Sequence, residues 1–229
     1  MGKTQPAIRQ PSVIRLQYFR RIVLAWYRLH GRMFPWRYAT ATHYRQIVAE
    51  VLLQRTRAET VAGFFPRFVR TYPNWRSLAN SKTSELRAFL RPLGLWRRRS
   101  KDLHALALVL FERNGRIPEY RAEAERLPGV GQYVANAMLL FAHRKPQPLL
   151  DGNMARVLER YFGPRRLADI RYDPYLQRLA HRVVSVSSPK VVNWAILDFA
   201  ALVCKSTLPN CTHCPLRPHC RFLAPQRLL

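Results

Sequence analysis

The residues best suited to chemistry are the four cysteines of this 229-residue sequence, Cys204, Cys211, Cys214 and Cys220. Their spacing is C-x6-C-x2-C-x5-C. Thiolates are soft ligands that favour iron–sulfur clusters or zinc. Zinc ribbons usually present two C-x2-C pairs, so a spacing with one such pair favours iron–sulfur and leaves zinc as the alternative. Disulfides are disfavoured, because the N-terminus does not resemble a secretory signal and a chain of this length can form an adequate core.

The charge of the sequence indicates its partner. Lysine and arginine number 39 against 13 aspartates and glutamates, a formal net charge of +26, while 48% of the residues are hydrophobic. The densest basic run is Arg97, Arg98, Arg99 and Lys101. Such a surface favours a polyanion, and nucleic acid is the expected one, although a merely solvated basic surface is the alternative. No apolar run approaches the ~20 residues of a membrane span, so we expect a cytoplasmic, nucleoid-associated protein without a membrane partner.

Apolar residues recur at three- and four-residue spacing along most of the chain, which predicts helices. The first such stripe runs from Leu16 to Leu29. The later predicted helices are 42–55, 58–71, 83–91, 100–113, 121–126, 132–143, 152–161, 173–186 and 191–203. No segment alternates apolar and polar residues over the length of a strand, so the predicted fold class is all-α with about ten helices. Residues 1–12, which contain two prolines, are predicted to be a loose arm.

A glycine-rich turn, Leu127-Pro128-Gly129-Val130-Gly131, separates two of these predicted helices. The glycines permit a tight turn whose backbone N–H groups face outward at a helix N-terminus, which suits a phosphate. The pattern is typical of a helix-hairpin-helix motif, which grips the DNA backbone without reading sequence. An ordinary turn between two helices is the alternative.

One aspartate, Asp151, follows the apolar pair Leu149 and Leu150 and precedes a predicted helix. An aspartate at this position usually caps the helix by accepting hydrogen bonds from its first free amides. The residues alone therefore predict that Asp151 is an N-cap.

The order of the motifs resembles that of the endonuclease III and MutY superfamily of DNA glycosylases. The resemblance runs from about residue 20 to about residue 222. It rests on Phe34-Pro35-Trp36-Arg37, Glu50-Val51-Leu52-Leu53-Gln54-Arg55-Thr56, the hairpin, Asp151 and the four cysteines. It implies two helical lobes with DNA in the cleft between them. A six-helix bundle would take residues 35–146, while 1–34 and 147–229 would form the lobe whose cysteines hold a [4Fe-4S] cluster.

The resemblance also implies a reaction, namely cleavage of an N-glycosidic bond after the base has been flipped out of the duplex. Asp151 matches the catalytic aspartate, whose carboxylate stabilises positive charge that develops on the sugar. Glu50 matches the glutamate that helps protonate the base or handle water, and burial would favour its protonated form. Tyr133 stands where similar strand-cleaving enzymes carry a lysine that forms a Schiff base. A phenol cannot form that imine, so we expect a monofunctional glycosylase.

The implied partner is double-stranded DNA that contains a mismatched or damaged base, bound by a monomer. Gln54 and Leu95 match residues that wedge into the space left by the flipped nucleotide, and Arg97 to Arg99 would then lie near phosphates. The expected DNA-contacting residues are Gln54, Arg55, Leu95, Arg97, Arg98, Gly129, Val130, Gly131 and Lys205. The candidate base-pocket residues are Arg32, Trp36 and Trp194.

Within this family, the resemblance favours thymine or uracil opposite guanine as the base that is removed, with adenine as the alternative. Trp194 lies ten residues before Cys204, where adenine enzymes tend to carry a glutamate, and only nine residues follow Cys220, too few for a domain that reads 8-oxoguanine. Gly94-Leu95-Trp96 also departs from the Gly-Tyr-Tyr of adenine enzymes. Asp151-Gly152-Asn153 and Tyr133 favour adenine, although thymine enzymes share the tyrosine. A non-catalytic DNA-binding module is a further alternative.

Overall fold

A computed structural model describes residues 10–223, and within them all regular structure is helical, which confirms the all-α prediction. The α-helices are α1 (Val13–His30), α2 (His43–Leu53), α3 (Ala58–Thr71), α4 (Trp75–Ala79), α5 (Thr83–Phe89), α6 (Trp96–Glu112), α7 (Arg121–Ala124), α8 (Gln132–Ala142), α9 (Gly152–Phe162), α10 (Pro174–Val184) and α11 (Pro189–Leu202). Short 3₁₀ helices span Pro35–Arg37, Arg91–Leu93, Arg217–His219 and Arg221–Leu223. None of the described helices is long and apolar enough to cross a membrane.

The structure differs from the predicted helices mainly at α4 and at the start of α6. Helix α4 is stabilised by a capping box, in which Asn74 and Ser77 each accept from the other's backbone N–H. Its five residues are too few to show a helical period, so periodicity missed it. Helix α6 begins at Trp96, four residues before the predicted start, because a run of arginines hides the apolar stripe. Most of the predicted N-terminal arm, residues 1–9, lies outside the described residues.

The chain divides into two compact units, and the first consists of Met1–Arg32 and Pro146–Leu229. Helices α1, α9, α10 and α11 supply its core. The rings of Tyr161 and Phe162 each lie 5.1 Å from that of Phe19, an aromatic cluster that joins α1 to α9. This packing holds the C-terminal end of α9 against α1, and Asp151 lies at the opposite end of α9.

The second unit is Met33–Lys145 and contains α2 to α8. Its seven α-helices exceed the expected six by the short α4. Helix α2 packs against α8 and buries a continuous stretch from Gln46 to Leu52, including Glu50. A polar residue in such a stretch is costly unless it is hydrogen-bonded, so the environment of Glu50 decides its chemistry.

Candidate active site

Asp151 is the N-cap of α9, as predicted from its position. Its Oδ1 accepts from the backbone N–H groups of Asn153 at 2.9 Å and Met154 at 2.8 Å, while Oδ2 accepts from the Asn153 amide at 2.7 Å. The residue keeps some exposed surface, but surrounding protein atoms remove most of the water from its carboxylate. This desolvation raises the pKa of Asp151, and the three hydrogen bonds oppose the rise. The carboxylate is therefore fixed in direction and poorly hydrated, which strengthens its field at a nearby cation.

Asn153, which donates to the Asp151 carboxylate, is itself held by a hydrogen bond from Arg156. Arg156 donates through Nη1 to Oδ1 of Asn153 at 3.2 Å, which orients the amide that Asp151 accepts from. The same guanidinium donates to the carbonyl oxygens of Cys204 at 2.8 Å and Ala200 at 3.0 Å. The first cysteine is thus connected to Asp151 through two side chains. Sequence reasoning missed Arg156, which occupies the second turn of α9 on the same face as Asn153.

Glu50 and Tyr133 meet in the second unit. Glu50 is only 2% exposed, and its Oε2 accepts a hydrogen bond from the half-buried Tyr133 hydroxyl at 2.7 Å. The two residues lie on α2 and α8, the helices that pack together in this unit. The phenol thus helps to hold the carboxyl group in one orientation. The sequence indicated both residues but not this contact.

The predicted hairpin at 127–131 lies between α7 and α8. Gly129 has φ +70°, and a Cβ there would lie 2.5 Å from Cβ of Asp102, so only glycine fits this turn against α6. The Val130 side chain is buried, and its N–H donates to the Leu127 carbonyl at 3.1 Å. Gly131 is the N-cap of α8 and, as a glycine, makes no side-chain cap hydrogen bond. The turn presents backbone donors at a helix N-terminus, the arrangement that suits a phosphate.

The two candidate wedge residues lie on turns at helix ends. Gln54 is exposed at the C-terminal cap of α2, next to the exposed Arg55 at φ +55°. Leu95 is the N-cap of α6, with φ +49° and 51% of its surface exposed. A non-glycine residue with positive φ is strained, and an apolar side chain held outward in this way is a feature to explain.

The arginine run 97–99 divides by exposure. Arg97 is exposed and lies over the Trp96 ring at 4.1 Å, and Arg98 is exposed and pairs with Asp102 at 3.3 Å. Arg99, in contrast, is 5% exposed, so the expectation that all three lie near phosphates is wrong for Arg99. The helical period turns its side chain inward while its two neighbours face solvent. Lys205, the other expected phosphate contact, is exposed.

The three candidate pocket residues are held within the protein interior to different degrees. Arg32 pairs with the fully buried Asp198, whose Oδ1 lies 2.9 Å from its Nε and 2.8 Å from its Nη2. Trp36 is 2% exposed and stacks on Phe34 at 4.8 Å, and Trp194 is 7% exposed on α11. A role of these three residues in base recognition stays a prediction.

The four cysteines follow α11 as free, partly buried thiols, so no disulfide joins them. Burial raises the pKa of Cys214 to about 11, and the charges of the other three thiols contribute, so the side chains influence one another. Arg160 donates to Sγ of Cys204 at 3.5 Å. Within residues 10–223, no three or more histidine, cysteine, aspartate or glutamate side chains are close enough to hold a metal ion. The donor set, four free thiols in one segment, fits an iron–sulfur cluster in its chemistry.

Three curated relatives are similar to this chain over most of its length. A thymine-DNA glycosylase from Aeropyrum pernix is 39% identical over 91% of this chain and 95% of its own length. A thymine/uracil-DNA glycosylase from Pyrobaculum aerophilum is 38% identical over 90% of this chain and 91% of its own length. An adenine DNA glycosylase from Buchnera aphidicola is 30% identical over 88% of this chain, which spans 58% of that protein.

Structural comparison and a family model agree with these relatives. The structure of a thermostable thymine-DNA glycosylase matches with a TM-score of 0.83 at 29% identity, over 91% of this chain and 96% of the other. The family model described as HhH-GPD superfamily base excision DNA repair protein matches residues 48–182, more than half of the chain. These matches confirm the resemblance predicted from the motifs. The chain belongs to the HhH-GPD superfamily of base excision DNA repair proteins.

Proposed function

We propose that this protein is a monofunctional DNA glycosylase that hydrolytically removes thymine or uracil opposite guanine in double-stranded DNA. The observation that carries the proposal is the hydrogen bond between Tyr133 and the buried Glu50. It places an oriented carboxyl group beside a phenol, with no amine at position 133 to form a Schiff base. The two thymine-glycosylase relatives, which match nearly end to end, support the choice of base.

The chemistry assigns one task to each carboxyl group. Cleavage of the N-glycosidic bond develops positive charge on the sugar and negative charge on the departing base. The carboxylate of Asp151, fixed by three hydrogen bonds, stabilises the sugar cation more than the neutral ground state. Glu50 donates a proton to the base or accepts one from water, and Tyr133 keeps it oriented for that transfer. Together these roles bring about a single hydrolysis, in which water gives a hydroxyl group to the sugar carbon, the departing base gains a proton and the DNA strand stays intact.

Thymine or uracil is favoured over adenine by the residue at position 194. An indole there offers no carboxylate to accept a hydrogen bond from the adenine amino group. Trp194 is also buried, and its helix α11 contributes to the core. An acidic side chain could not take the place of the indole unless the surrounding side chains repacked.

This proposal is tested by base release from duplexes that contain G:T, G:U, A:G or A:8-oxoguanine. We expect thymine and uracil release from the first two, and strand breaks only after alkali opens the abasic sites. Adenine release without thymine release would contradict the substrate. A strong covalent protein–DNA adduct after borohydride reduction would contradict the monofunctional mechanism, since that adduct requires a Schiff base.

We further propose that Cys204, Cys211, Cys214 and Cys220 hold a [4Fe-4S] cluster, which would link the segment after α11 into one unit. Four free thiols with no remaining ligand position point to a structural role rather than to the hydrolysis itself. Arg160 would then stabilise the thiolate charge, because it already donates to Sγ of Cys204.

The cluster proposal predicts about four iron atoms and four acid-labile sulfides per chain in protein purified without oxygen. Cys214→Ser is expected to lower both contents and to lower the melting temperature, because its half-buried thiol would lose its metal. Thr212→Ala, an exposed change between two of the cysteines, is the matched control and should keep the iron. One zinc ion per chain, with no sulfide, would contradict the proposal.

A further inference from the structure

Arg99 joins two separate turns of the second unit through four hydrogen bonds. Its Nη1 donates to the carbonyl oxygens of Leu93 at 3.0 Å and Gly94 at 2.8 Å. Its Nη2 donates to the carbonyl oxygen of Gln54 at 2.7 Å and to the hydroxyl of Thr56 at 3.0 Å. The planar guanidinium thus faces one turn with each of its terminal nitrogens, a geometry that a lysine cannot reproduce.

These turns are the ones that expose the two candidate wedge side chains. The first ends α2 and contains Gln54, and the second precedes α6 and contains Leu95. The Thr56 hydroxyl also donates to the Leu93 carbonyl at 3.1 Å, which makes a second direct link between them. Both turns contain a non-glycine residue with positive φ, Arg55 and Leu95. Such backbone is strained and persists only where surrounding contacts hold it.

Burial distinguishes this role from phosphate binding. Arg99 is 5% exposed and its terminal nitrogens are occupied by carbonyl and hydroxyl oxygens of its own chain, whereas Arg97 and Arg98 are exposed. A buried cation is costly unless it is fully hydrogen-bonded. An apolar side chain at this buried position would avoid that cost. We therefore attribute the presence of the guanidinium to the hydrogen bonds that it donates to the two turns.

We propose that Arg99 is a positioning residue that locks the Gln54 turn and the Leu95 turn together, so that both side chains enter the DNA stack as one rigid wedge. This inference rests on the proposed function, because it assigns that wedge to the extrusion of the target nucleotide. Extrusion requires unstacking of the duplex, and a side chain on a loose turn would fold back instead of displacing a base. Turns that are already rigid need not be ordered on binding, so more of the binding free energy is left to offset the cost of unstacking the duplex.

The test uses Arg99→Met, which keeps the apolar stem without the guanidinium, and Arg99→Lys, which keeps the charge. Arg87→Met, an exposed position on α5, is the control with the same change of charge. One readout is the fluorescence of 2-aminopurine placed beside a G:U pair at saturating protein, which reports unstacking. The other is the single-turnover rate of uracil release, from that duplex and from one in which uracil faces an abasic analogue and needs less unstacking.

We expect Arg99→Met to bind DNA nearly as well as the control, to lose the fluorescence increase, and to release uracil about ten- to a hundredfold more slowly from the G:U duplex. The loss should be clearly smaller when uracil has no pairing partner, and Arg99→Lys should recover only part of the rate. Equal loss on both duplexes, together with a lower melting temperature, would overturn the proposal, because it would show a purely structural role. Fluorescence and rates equal to those of the control would overturn it as well.

Failure of the proposed function gives a different result. If the wild-type protein releases no base from any duplex, the glycosylase assignment fails, while the fluorescence comparison still tests Arg99. A 2-aminopurine fluorescence increase that occurs with the wild-type protein and is absent with Arg99→Met would support the positioning role. An increase in both, or in neither, would overturn it.

Discussion

Asp151→Asn is expected to slow base release by about a hundred- to a thousandfold while DNA binding is retained. The variant removes the negative charge that stabilises the sugar cation but keeps an oxygen that can accept from the N–H groups of Asn153 and Met154. The cap and the start of α9 should therefore survive. Single-turnover rates on a G:T duplex, with affinity measured on the same DNA, separate these effects. Asp169→Asn, at a partly exposed aspartate of the same unit, is the matched control.

The raised pKa of Asp151 predicts how the stabilities of the wild-type protein and Asp151→Asn differ with pH. Desolvation favours its protonated form in the folded state, so the ionised carboxylate costs stability above the raised pKa. This cost disappears as the pH falls toward 3.8, the ordinary value for aspartate. The melting temperature of Asp151→Asn relative to wild type should therefore rise as the pH increases through that window. The wild-type rate should fall on acidification at a pH above the ordinary aspartate range, because catalysis needs the ionised form.

An Asp151→Asn protein that releases thymine at the wild-type rate would refute the electrostatic role and reduce the residue to a helix cap. If Asp151→Asn instead lost DNA binding and had a lower melting temperature, the change would have disrupted α9. The non-catalytic alternative, a DNA-binding module, predicts no base release even from the wild-type protein. It also leaves unexplained why two carboxylates, which repel phosphate, lie among so many basic residues.

The second large effect is expected for Glu50→Gln, at about a hundred- to ten-thousandfold in the rate of base release. Glutamine occupies the same volume and can still accept from the Tyr133 hydroxyl, so the buried site keeps its hydrogen bond while it loses its transferable proton. Glu85→Gln, an exposed glutamate of the same unit, is the control. Rates are measured under single turnover on a G:T duplex, and a Glu50→Gln rate equal to that of the Glu85→Gln control would contradict the role of Glu50 in proton transfer.

Tyr133→Phe separates orientation from proton transfer. Loss of the hydroxyl leaves the Glu50 carboxyl in place but removes the group that orients it, so a smaller loss of about tenfold is expected. Since both residues act through one contact, the double variant should be no slower than Glu50→Gln alone. Losses that multiply in the double variant would show that Tyr133 acts independently of Glu50.

Much of the fold was predictable because its helices are long and amphipathic. The boundaries of α3 and α8 follow the apolar period to within a residue, and Asp151 was correctly expected to cap α9. Helix α4 escaped prediction, since five residues held by a capping box show no period. The start of α6 was misplaced because its first turn is a run of arginines that hides the apolar period.

The sequence by itself determined the helical class, the family, the glycine-rich turn before α8 and the identity of the carboxylates and thiols, because each depends on residue type and local spacing. Only the tertiary structure decided which of these groups meet. Positions 50 and 133 are 83 residues apart, and only the packing of α2 on α8 brings the Tyr133 hydroxyl to the Glu50 carboxyl. The same holds for Arg99 and Gln54, 45 residues apart. Composition counts Arg99 as one more basic residue in an exposed run, while burial makes it the link between two turns.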